Sequence, residues 1–304
     1  MAENHPEVSI IIPTFNRAHS LPQAVESVLQ QDFKEVEVII IDDASSDDTQ
    51  KIVRSYKDPR IKYIRLDKNL GAAAARNAGI FVSKGKYIAF QDSDNVWMEG
   101  KLKKQMEMFT QLPDRVGVLY SSILRISKNK REFFPDFQDK LKTGNIHAEL
   151  LKRNFIDLCA AVVRRKCFYV SGMFDEELPC YQDWELWIRF SRDFEFYFLD
   201  EVHATAYYSE DSISINPYKQ IDALRQILQK HQSDFSVHKK IYSKQLIYLG
   251  HLLCSYENIR AGRKNLLKAL EVSPFYIKIF MFLILSLFGS SAYRSFFERA
   301  YKIK

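Results

Sequence analysis

The chain has 304 residues, of which 46% are apolar and 27% are charged. These fractions match ordinary globular proteins and exclude intrinsically disordered and collagen-like chains. The net charge of +6 is unevenly spread, because residues 218–304 carry 15 Lys and Arg against 5 Asp and Glu. We therefore expect an anionic partner for this part of the chain, either nucleic acid or an anionic membrane.

The sequence favours a protein that stays in the cytoplasm. Its first residues, MAENHPEVS, lack the basic and apolar regions of a signal peptide. The sequence has no uninterrupted run of 18 apolar residues, so we expect no helix to span a membrane. The four cysteines show neither metal-ligand spacing nor a small secreted framework, and we expect reduced, structural thiols.

The first hundred residues alternate β-branched apolar runs with amphipathic stretches. The predicted strands span 8–15, 36–45, 62–66 and 86–91, and the predicted helices span 20–31, a segment starting near 47, and 72–83. This alternation with short connections predicts an α/β fold with a doubly wound, mostly parallel sheet. Ligands of such sheets bind beyond the carboxyl ends of the strands, which selects Thr14, Asp42, Asp43 and residues 92–94.

The remaining chain changes from mixed structure to helix. We expect helices near 100–111, 145–153 and 183–192, and strands near 116–126 and 196–208. A C-terminal helical extension follows, so we expect one domain over 1–216 and a basic helical region over 217–304. Residues 241–274 predict two antiparallel helices, either a single tetratricopeptide-type hairpin or a helical cap on the first domain.

The segment QDSDN, residues 91–95, places two carboxylates directly after a predicted buried strand. Side chains two positions apart in an extended chain point the same way, so Asp92 and Asp94 can face one site. Two hard carboxylates make half of a site for Mn²⁺ or Mg²⁺, with diphosphate oxygens and water completing it. The alternative is a solvated turn, in which this pattern is common.

Two further motifs follow predicted strands. Asp42 and Asp43 offer one carboxylate for the imide N–H of a pyrimidine and another for a ribose hydroxyl or backbone N–H groups. The alternative is a pair of turn and cap residues. In NLGAAAARNAG, residues 69–79, Gly71 forms a turn before a helix of small residues that can approach the sheet closely. Arg76 on this helix is able to reach a diphosphate, or else to serve as a packing or ion-pair residue.

The segment CYQDWELWIRF, residues 180–190, places Asp183 at the predicted start of a helix. If the indoles of Trp184 and Trp187 lie against this carboxyl, desolvation raises its pKa toward the range of a useful general base. The alternative is that both indoles pack beside the helix as part of the core.

In this order and spacing, the motifs resemble those of the inverting family 2 glycosyltransferases with the GT-A fold. The resemblance runs from residue 8 to about 215 and also includes the stretches 143–156 and 172–178. It implies that Thr14 and Asp43 contact a uracil-type base. It also implies that Asp92 contacts ribose or metal, that Asp94 ligates the metal and that Asp183 is the catalytic base. The residues expected to bind the nucleotide sugar are Pro13, Thr14, Asp43, Gly71, Arg76 and Asp92.

The resemblance implies a single inverting displacement from a nucleotide sugar, expected to be a UDP-sugar, to a glycan or lipid-linked acceptor in cell-surface polysaccharide synthesis. The chain departs from the family at Gln182, where Glu is common, and at Asn95, where Asp is common. Residues 207–214 read YYSEDSIS where many relatives have Tyr-Arg and a His, so we expect no His metal ligand.

Competing hypotheses are a non-catalytic nucleotide-sugar-binding scaffold and a nucleotidyltransferase. The presence of all four acids, Asp43, Asp92, Asp94 and Asp183, disfavours the scaffold, because a protein that has lost catalysis usually loses one of them. The lack of a glycine- and arginine-rich triphosphate loop near the N-terminus disfavours the nucleotidyltransferase.

The segment 274–304 is the most apolar part of the chain. Its uninterrupted core, residues 279–289, is short of the roughly 20 residues that span a bilayer. Flanking aromatic and basic residues indicate an interfacial or re-entrant segment, and the alternative is a helix buried in the C-terminal region. With no nucleic-acid module in the sequence, we expect an anionic membrane, reached from the cytoplasmic face, and no nucleic acid.

Overall fold

The structure is a computed structural model that describes residues 5–128, 130–135, 143–207, 216–274 and 278–301. Its residues cluster into two compact units, one of Met1–Glu176 with Gln182–Ser209 and the other of Glu177–Tyr181 with Glu210–Lys304. The YYSEDSIS segment beyond residue 207 lies outside the described residues.

The described part of the first unit contains nine strands, seven α-helices and a short 3-10 helix, Leu158–Ala160. The strands are β1 (Val8–Thr14), β2 (Val36–Asp42), β3 (Ile61–Arg65), β4 (Tyr87–Phe90), β5 (Val96–Trp97), β6 (Val116–Ile126), β7 (Arg131–Phe134), β8 (Ala161–Arg164) and β9 (Glu195–Tyr207). The helices are α1 (Leu21–Leu29), α2 (Thr49–Ser55), α3 (Ala72–Val82), α4 (Lys101–Gln111), α5 (His147–Lys152), α6 (Lys166–Ser171) and α7 (Gln182–Asp193).

The strands form one sheet in the order β3-β2-β1-β4-β8-β6-β9-β5, with β7 paired to β6. Strand β1 is parallel to β2 and β4, β2 is parallel to β3, and β6 is parallel to β9. Within the described chain, each antiparallel strand pair includes β5, β7 or β8. The α/β fold with a doubly wound, mostly parallel sheet is therefore confirmed, whereas the short strands β5, β7 and β8 were not predicted.

Strands β1 and β2 lie at the centre of the first unit, because every residue of both is buried. A strand covered on both faces needs a continuous apolar run, which is what the sequence shows. Helix α3 approaches β1 closely, since a Cβ added to Gly79 would lie 3.1 Å from Cγ1 of Ile11. Because α3 leads from the end of β3 to the start of β4, its first turn lies at the carboxyl ends of the strands.

The second unit is mainly helical over its described residues from 216 onward, as the sequence predicted for the C-terminal region. Its helices are α8 (Pro217–Lys230), α9 (Gln232–Val237), α10 (Lys239–Leu252), α11 (Ile259–Val272), α12 (Lys278–Ser286) and α13 (Ser290–Tyr301), with a π-helical turn over Leu253–Glu257. The hydroxyl of Ser243 donates to the carbonyl of Ala269 at 3.0 Å. At the other end of the pair, a Cβ on Gly250 would lie 3.0 Å from Leu266. These contacts show α10 and α11 packed as the predicted antiparallel hairpin.

Helix α12 has two different faces. Ile279, Phe282 and Ser286 are buried, and Arg263 of α11 donates to the Ser286 hydroxyl at 2.8 Å. The opposite face exposes the apolar side chains of Phe280, Met281 and Ile284, and the turn after the helix exposes Leu287 and Phe288. In the part of the chain that the structure describes, no helix has the length and apolar character required to cross a bilayer.

Candidate active site

The carboxyl ends of β1, β2 and β4 bring the predicted donor-binding residues to one edge of the sheet. Thr14, the last residue of β1, is paired in register with Asp42, and its carbonyl accepts a hydrogen bond from the Asp43 amide at 2.9 Å. The Thr14 hydroxyl is buried and has no hydrogen-bond partner within the structure. Pro13 is buried directly before it, opposite Ile41 of β2. A buried hydroxyl without a partner is available to a ligand group.

The adjacent acids Asp42 and Asp43 have different partners. The Asp42 carboxylate is fully buried and accepts hydrogen bonds from the Ser45 amide at 2.8 Å and the Tyr63 hydroxyl at 2.5 Å. This carboxylate therefore holds the turn after β2 and the neighbouring strand β3 in place. Because both partners are protein groups, Asp42 acts as a turn residue, which was one of the two roles that the sequence left open for it.

Asp43 organises the turn before α3. Its two carboxylate oxygens accept hydrogen bonds from the backbone amides of Leu70 at 2.7 Å and Gly71 at 2.8 Å. Gly71 has φ +92°, a conformation that glycine adopts without a steric penalty, and it precedes the first residue of α3. Each carboxylate oxygen has a further lone pair, so Asp43 retains acceptor capacity for a ligand N–H.

Arg76 connects α3 to the acids that follow β4. Its Nη2 donates to Oδ1 of Asp92 at 2.8 Å, and its guanidinium lies 5.6 Å from the centre of the Phe174 ring. Its Nε is buried and makes no hydrogen bond in the structure. The side chain is only 13% exposed, so a positive charge with an unused donor is fixed beside the carboxylate pair.

Asp92 and Asp94 form the two-carboxylate pair that the sequence predicted. Arg17 lies near the pair, with its Nη2 3.7 Å from Oδ2 of Asp94. Burial raises the pKa of Asp94, the negative charge of Asp92 raises it further, and Arg17 opposes the shift. The two carboxylates are thus close enough to repel each other, and a cation would relieve this repulsion.

This donor set fits Mn²⁺ or Mg²⁺ bound together with a diphosphate. Among the residues that the structure describes, no group of three or more His, Cys, Asp and Glu side chains is arranged to hold a metal by itself. A pair of carboxylates completed by substrate oxygens and water is the usual arrangement for Mg²⁺ with phosphates. Asp92 and Asp94 are the residues that would hold the ion.

Asp183 lies in the first turn of α7, where its Oδ2 accepts a hydrogen bond from Nδ2 of Asn154 at 2.7 Å. Burial raises the pKa of Asp183, and the charge of Asp157 raises it as well, while hydrogen bonds from the Trp184 backbone amide and from Asn154 and the charge of Arg76 lower it. A raised pKa brings a carboxylate closer to the pH at which a general base is most effective.

The acid two residues further along α7 is not a competing base. Glu185 is fully buried and accepts from Nε of Arg189 at 2.9 Å with both carboxylate oxygens, and from Nη2 at 2.8 Å. Such a bidentate pair holds the carboxylate directed at the guanidinium. Glu185 is therefore committed to Arg189, which leaves Asp183 as the candidate base on this helix.

Sequence reasoning missed four residues of this region: Arg17, Asn154, Asp157 and Phe174. Arg17, Asn154 and Phe174 stand inside motifs that were identified from the sequence, and Asp157 directly follows one of them. Nothing in a linear pattern pairs Asn154 with an acid 29 positions later, because that pairing depends on the packing of α7 against the preceding segment.

Comparisons with known proteins give a consistent result. Residues 9–170, more than half of the chain, match the family model described as glycosyl transferase family 2. A glycosyltransferase of Rickettsia bellii is 34% identical over 199 residues, which cover 64% of this chain and 29% of that protein. The UDP-Glc:alpha-D-GlcNAc-diphosphoundecaprenol beta-1,3-glucosyltransferase WfgD of Escherichia coli is 37% identical over 122 residues, or 40% of this chain and 47% of that one. The matched part thus spans less than half the length of both relatives.

Solved structures show the same fold. TarS 1-349 of S. aureus, crystallised in complex with UDP-GlcNAc, matches with a TM-score of 0.69 at 19% identity and covers 97% of this chain and 91% of that one. The mannosyltransferase PcManGT of Pyrobaculum calidifontis, in complex with GDP-Man and Mn²⁺, matches with a TM-score of 0.63 at 15% identity, over 99% and 88% of the two chains. The fold is therefore that of GT-A glycosyltransferases.

Proposed function

The chain belongs to glycosyl transferase family 2, and we propose that it is an inverting transferase that moves a sugar from a UDP-sugar to a hydroxyl of a glycan or lipid-linked acceptor. One observation carries the proposal. Arg76 donates to Asp92 at 2.8 Å, and its charge also acts on Asp94 and Asp183. Arg76 is thus close to Asp92 and Asp94, which are suited to hold a metal diphosphate. It is also close to Asp183, which is suited to be the base.

The donor-binding part of the proposal rests on unused hydrogen-bonding capacity at the sheet edge. The Thr14 hydroxyl and the Arg76 Nε are buried without partners, and Asp43 holds Gly71 in the turn beside them. A nucleotide with a base N–H, ribose hydroxyls and a diphosphate supplies complementary groups for this set. WfgD by its name uses UDP-Glc, and TarS was crystallised with UDP-GlcNAc, which makes UDP the nucleotide of choice.

The proposed reaction is a single displacement. Asp183 removes the proton of the acceptor hydroxyl while the oxygen attacks the anomeric carbon. The bond from that carbon to the diphosphate breaks, and its electron pair leaves with the nucleoside diphosphate. Arg76 stabilises the negative charge that grows on this leaving group. A bound Mn²⁺ or Mg²⁺ would supply further charge neutralisation there. Attack opposite the leaving group inverts the configuration at the anomeric carbon.

The acceptor side of the proposal includes a membrane surface. The exposed apolar face of α12 belongs to a C-terminal region with 15 Lys and Arg against 5 Asp and Glu. An apolar helix face within a basic region suits the interface of an anionic bilayer. We therefore propose that residues 217–304 hold the transferase domain, residues 1–216, at the inner face of the membrane, where a lipid-linked acceptor would be found. The acceptor in the name of WfgD is such a lipid.

The test of the function is Asp183→Asn. The change keeps the shape of the side chain but removes its ability to accept a proton, so transfer should fall about 10²–10⁴-fold. Donor affinity, measured as thermal stabilisation by UDP, should stay near the wild-type value. A panel of nucleotide sugars, assayed by release of nucleoside diphosphate, first identifies the donor.

Asp193→Asn in the last turn of α7 is the matched control, because Asp193 contacts the Ser171 hydroxyl and lies outside the proposed site. This variant should keep wild-type turnover. Normal turnover by Asp183→Asn would show that another group is the base. Nucleotide-sugar binding by the wild-type protein without any release of nucleoside diphosphate would favour the non-catalytic scaffold.

A further inference from the structure

We propose that Asn154 is the positioning residue for the Asp183 carboxylate, and that Asp157 acts on the same carboxylate as an opposing charge. This inference rests on the proposed function, in which Asp183 is the base. Neither residue would touch the reacting atoms, and both would act through Asp183.

The amide of Asn154 is held in one orientation. Its Oδ1 accepts a hydrogen bond from the Ile156 amide at 3.1 Å, so the NH₂ group is the end that faces α7. That NH₂ donates to Oδ2 of Asp183 at 2.7 Å. The backbone amide of Trp184 donates to the same carboxylate, and together the two bonds fix the plane of the carboxylate.

Helix α7 itself fixes the segment that carries Asn154. The indole N–H of Trp184 donates to the carbonyl of Leu150 at 2.6 Å, and that of Trp187 donates to the carbonyl of Ile156 at 3.2 Å. Both indoles are buried. The two bonds attach the chain on both sides of Asn154 to the helix that bears Asp183, which explains why two tryptophans follow the acid so closely.

Asp157 is held in place by partners of its own. Its Oδ1 accepts from the Cys159 amide at 3.2 Å, and its Oδ2 accepts from Nη2 of Arg125 at 3.3 Å. Asp157 directly follows Ile156, whose carbonyl is bonded to Trp187 of α7, so its carboxylate is held near the helix that bears Asp183. The charge of Asp157 raises the pKa of Asp183, whereas the backbone amide of Trp184, the Asn154 hydrogen bond and the charge of Arg76 lower it.

These opposite effects make a sharp test. Loss of the Asn154 hydrogen bond raises the pKa of Asp183, so the acidic limb of the kcat/KM profile should move to higher pH in Asn154→Ala. Loss of the Asp157 charge lowers the pKa of Asp183, so in Asp157→Asn the same limb should move to lower pH. Asn154→Ala should also lower kcat about 10- to 100-fold at an unchanged donor KM, because the carboxylate is no longer aligned.

The assay is the release of UDP from the UDP-sugar selected by the panel, with water as the acceptor, across a pH series. Asn265→Ala in α11 is the matched control, since Asn265 bonds only the Ala261 carbonyl of its own helix among the contacts in the structure. Stabilisation by UDP confirms that each variant is folded. Asp157→Asn keeps the test decisive if Asn154→Ala does not fold.

Acidic limbs that move in opposite directions in Asn154→Ala and Asp157→Asn would support the inference. Acidic limbs that stay at the wild-type pH in both variants, or that move in the same direction, would overturn it. The proposed function would still stand in that case, provided that Asp183→Asn is inactive. Normal turnover by Asp183→Asn would overturn both, because no base would then remain for Asn154 to position.

Discussion

At the scale of single residues, neighbouring acids in this site differ because their partners differ. Asp42 accepts hydrogen bonds from the Ser45 amide and the Tyr63 hydroxyl, whereas Asp94 has the more distant Arg17 and the charge of Arg76 as cationic neighbours. Asp94 is also 37% exposed, so a solvent-borne ligand can reach it. The acid that is less satisfied by protein groups is therefore the better candidate for binding a cation.

Asp94→Asn should weaken metal-dependent donor binding roughly 10-fold or more, which is about 1.4 kcal/mol. The pKa of Asp94 is raised by burial and by Asp92, so the carboxylate takes up a proton at a higher pH than an ordinary Asp. Metal-promoted binding should accordingly fade as the pH drops through that raised value. Titration of UDP with Mn²⁺ and with chelator, over a pH series, measures both effects.

Asp222→Asn on α8 serves as the control for this experiment, because Asp222 is exposed and pairs only weakly with Arg225 of its own helix. It should bind UDP and Mn²⁺ as the wild type does. Equal binding by Asp94→Asn with and without chelator, at the wild-type affinity, would rule out Asp94 as a metal ligand.

At the scale of helices and strands, the predictable elements were those with a continuous local signal. Strands β1 and β2 are buried at every position, so their β-branched runs were readable without any knowledge of their neighbours. Strand β5 has two residues, and β7 and β8 have four each, which is too short for periodicity to distinguish from a turn. Those three strands form through pairing with β6, β4 and β9, which sequence pattern does not contain.

The same contrast applies to the candidate site. Residues at strand ends, such as Thr14 and Asp92, were found because the edge of a parallel sheet is a predictable location. Asn154 and Asp157 were missed because α5 and the segment after it acquire their position from the indoles of α7. Tertiary hydrogen bonds, rather than local periodicity, bring these side chains to Asp183.

The α10–α11 hairpin gives a prediction for two glycines. A Cβ on Gly262 would lie 2.8 Å from the backbone of both Cys254 and Gly250, whereas one on Gly250 would meet mainly the Leu266 side chain at 3.0 Å. Gly262→Ala should therefore destabilise the protein by about 1–3 kcal/mol, because backbone atoms must separate. Gly250→Ala should change stability by less than about 1 kcal/mol, since a gain in helix propensity offsets a small shift of Leu266.

Thermal unfolding of the full chain, followed by circular dichroism, compares the two variants directly. Each carries the same chemical change in a helix of the same hairpin, so each is the control for the other. Equal unfolding temperatures would mean that the helices do not pack as closely at Gly262 as the structure shows.

At the scale of the whole molecule, charge and apolar surface are concentrated in the same part of the chain. Residues 218–304 carry 15 Lys and Arg against 5 Asp and Glu, and the exposed face of α12 lies within them. Residues 1–217, by contrast, carry 29 Lys and Arg against 33 Asp and Glu. An anionic surface would therefore attract the helical region rather than the transferase domain.

The last prediction tests whether the helical region binds an anionic membrane. It uses a triple variant, Phe280→Ser, Ile284→Ser and Phe288→Ser. These side chains are 54%, 58% and 71% exposed, so the changes leave the buried residues Ile279 and Phe282 in place. Each lost apolar contact with lipid is expected to cost about 1 kcal/mol, and partition onto anionic vesicles should fall about 10²-fold. Flotation with vesicles containing phosphatidylserine measures this loss, and UDP stabilisation should stay unchanged.

Phe81→Ser, at an 83% exposed position on α3, is the control and should float as the wild type does. Because exposed charges are screened by salt, binding of the wild type should also weaken as ionic strength rises. Undiminished flotation of the triple variant would show that α12 and the turn after it do not contact the membrane.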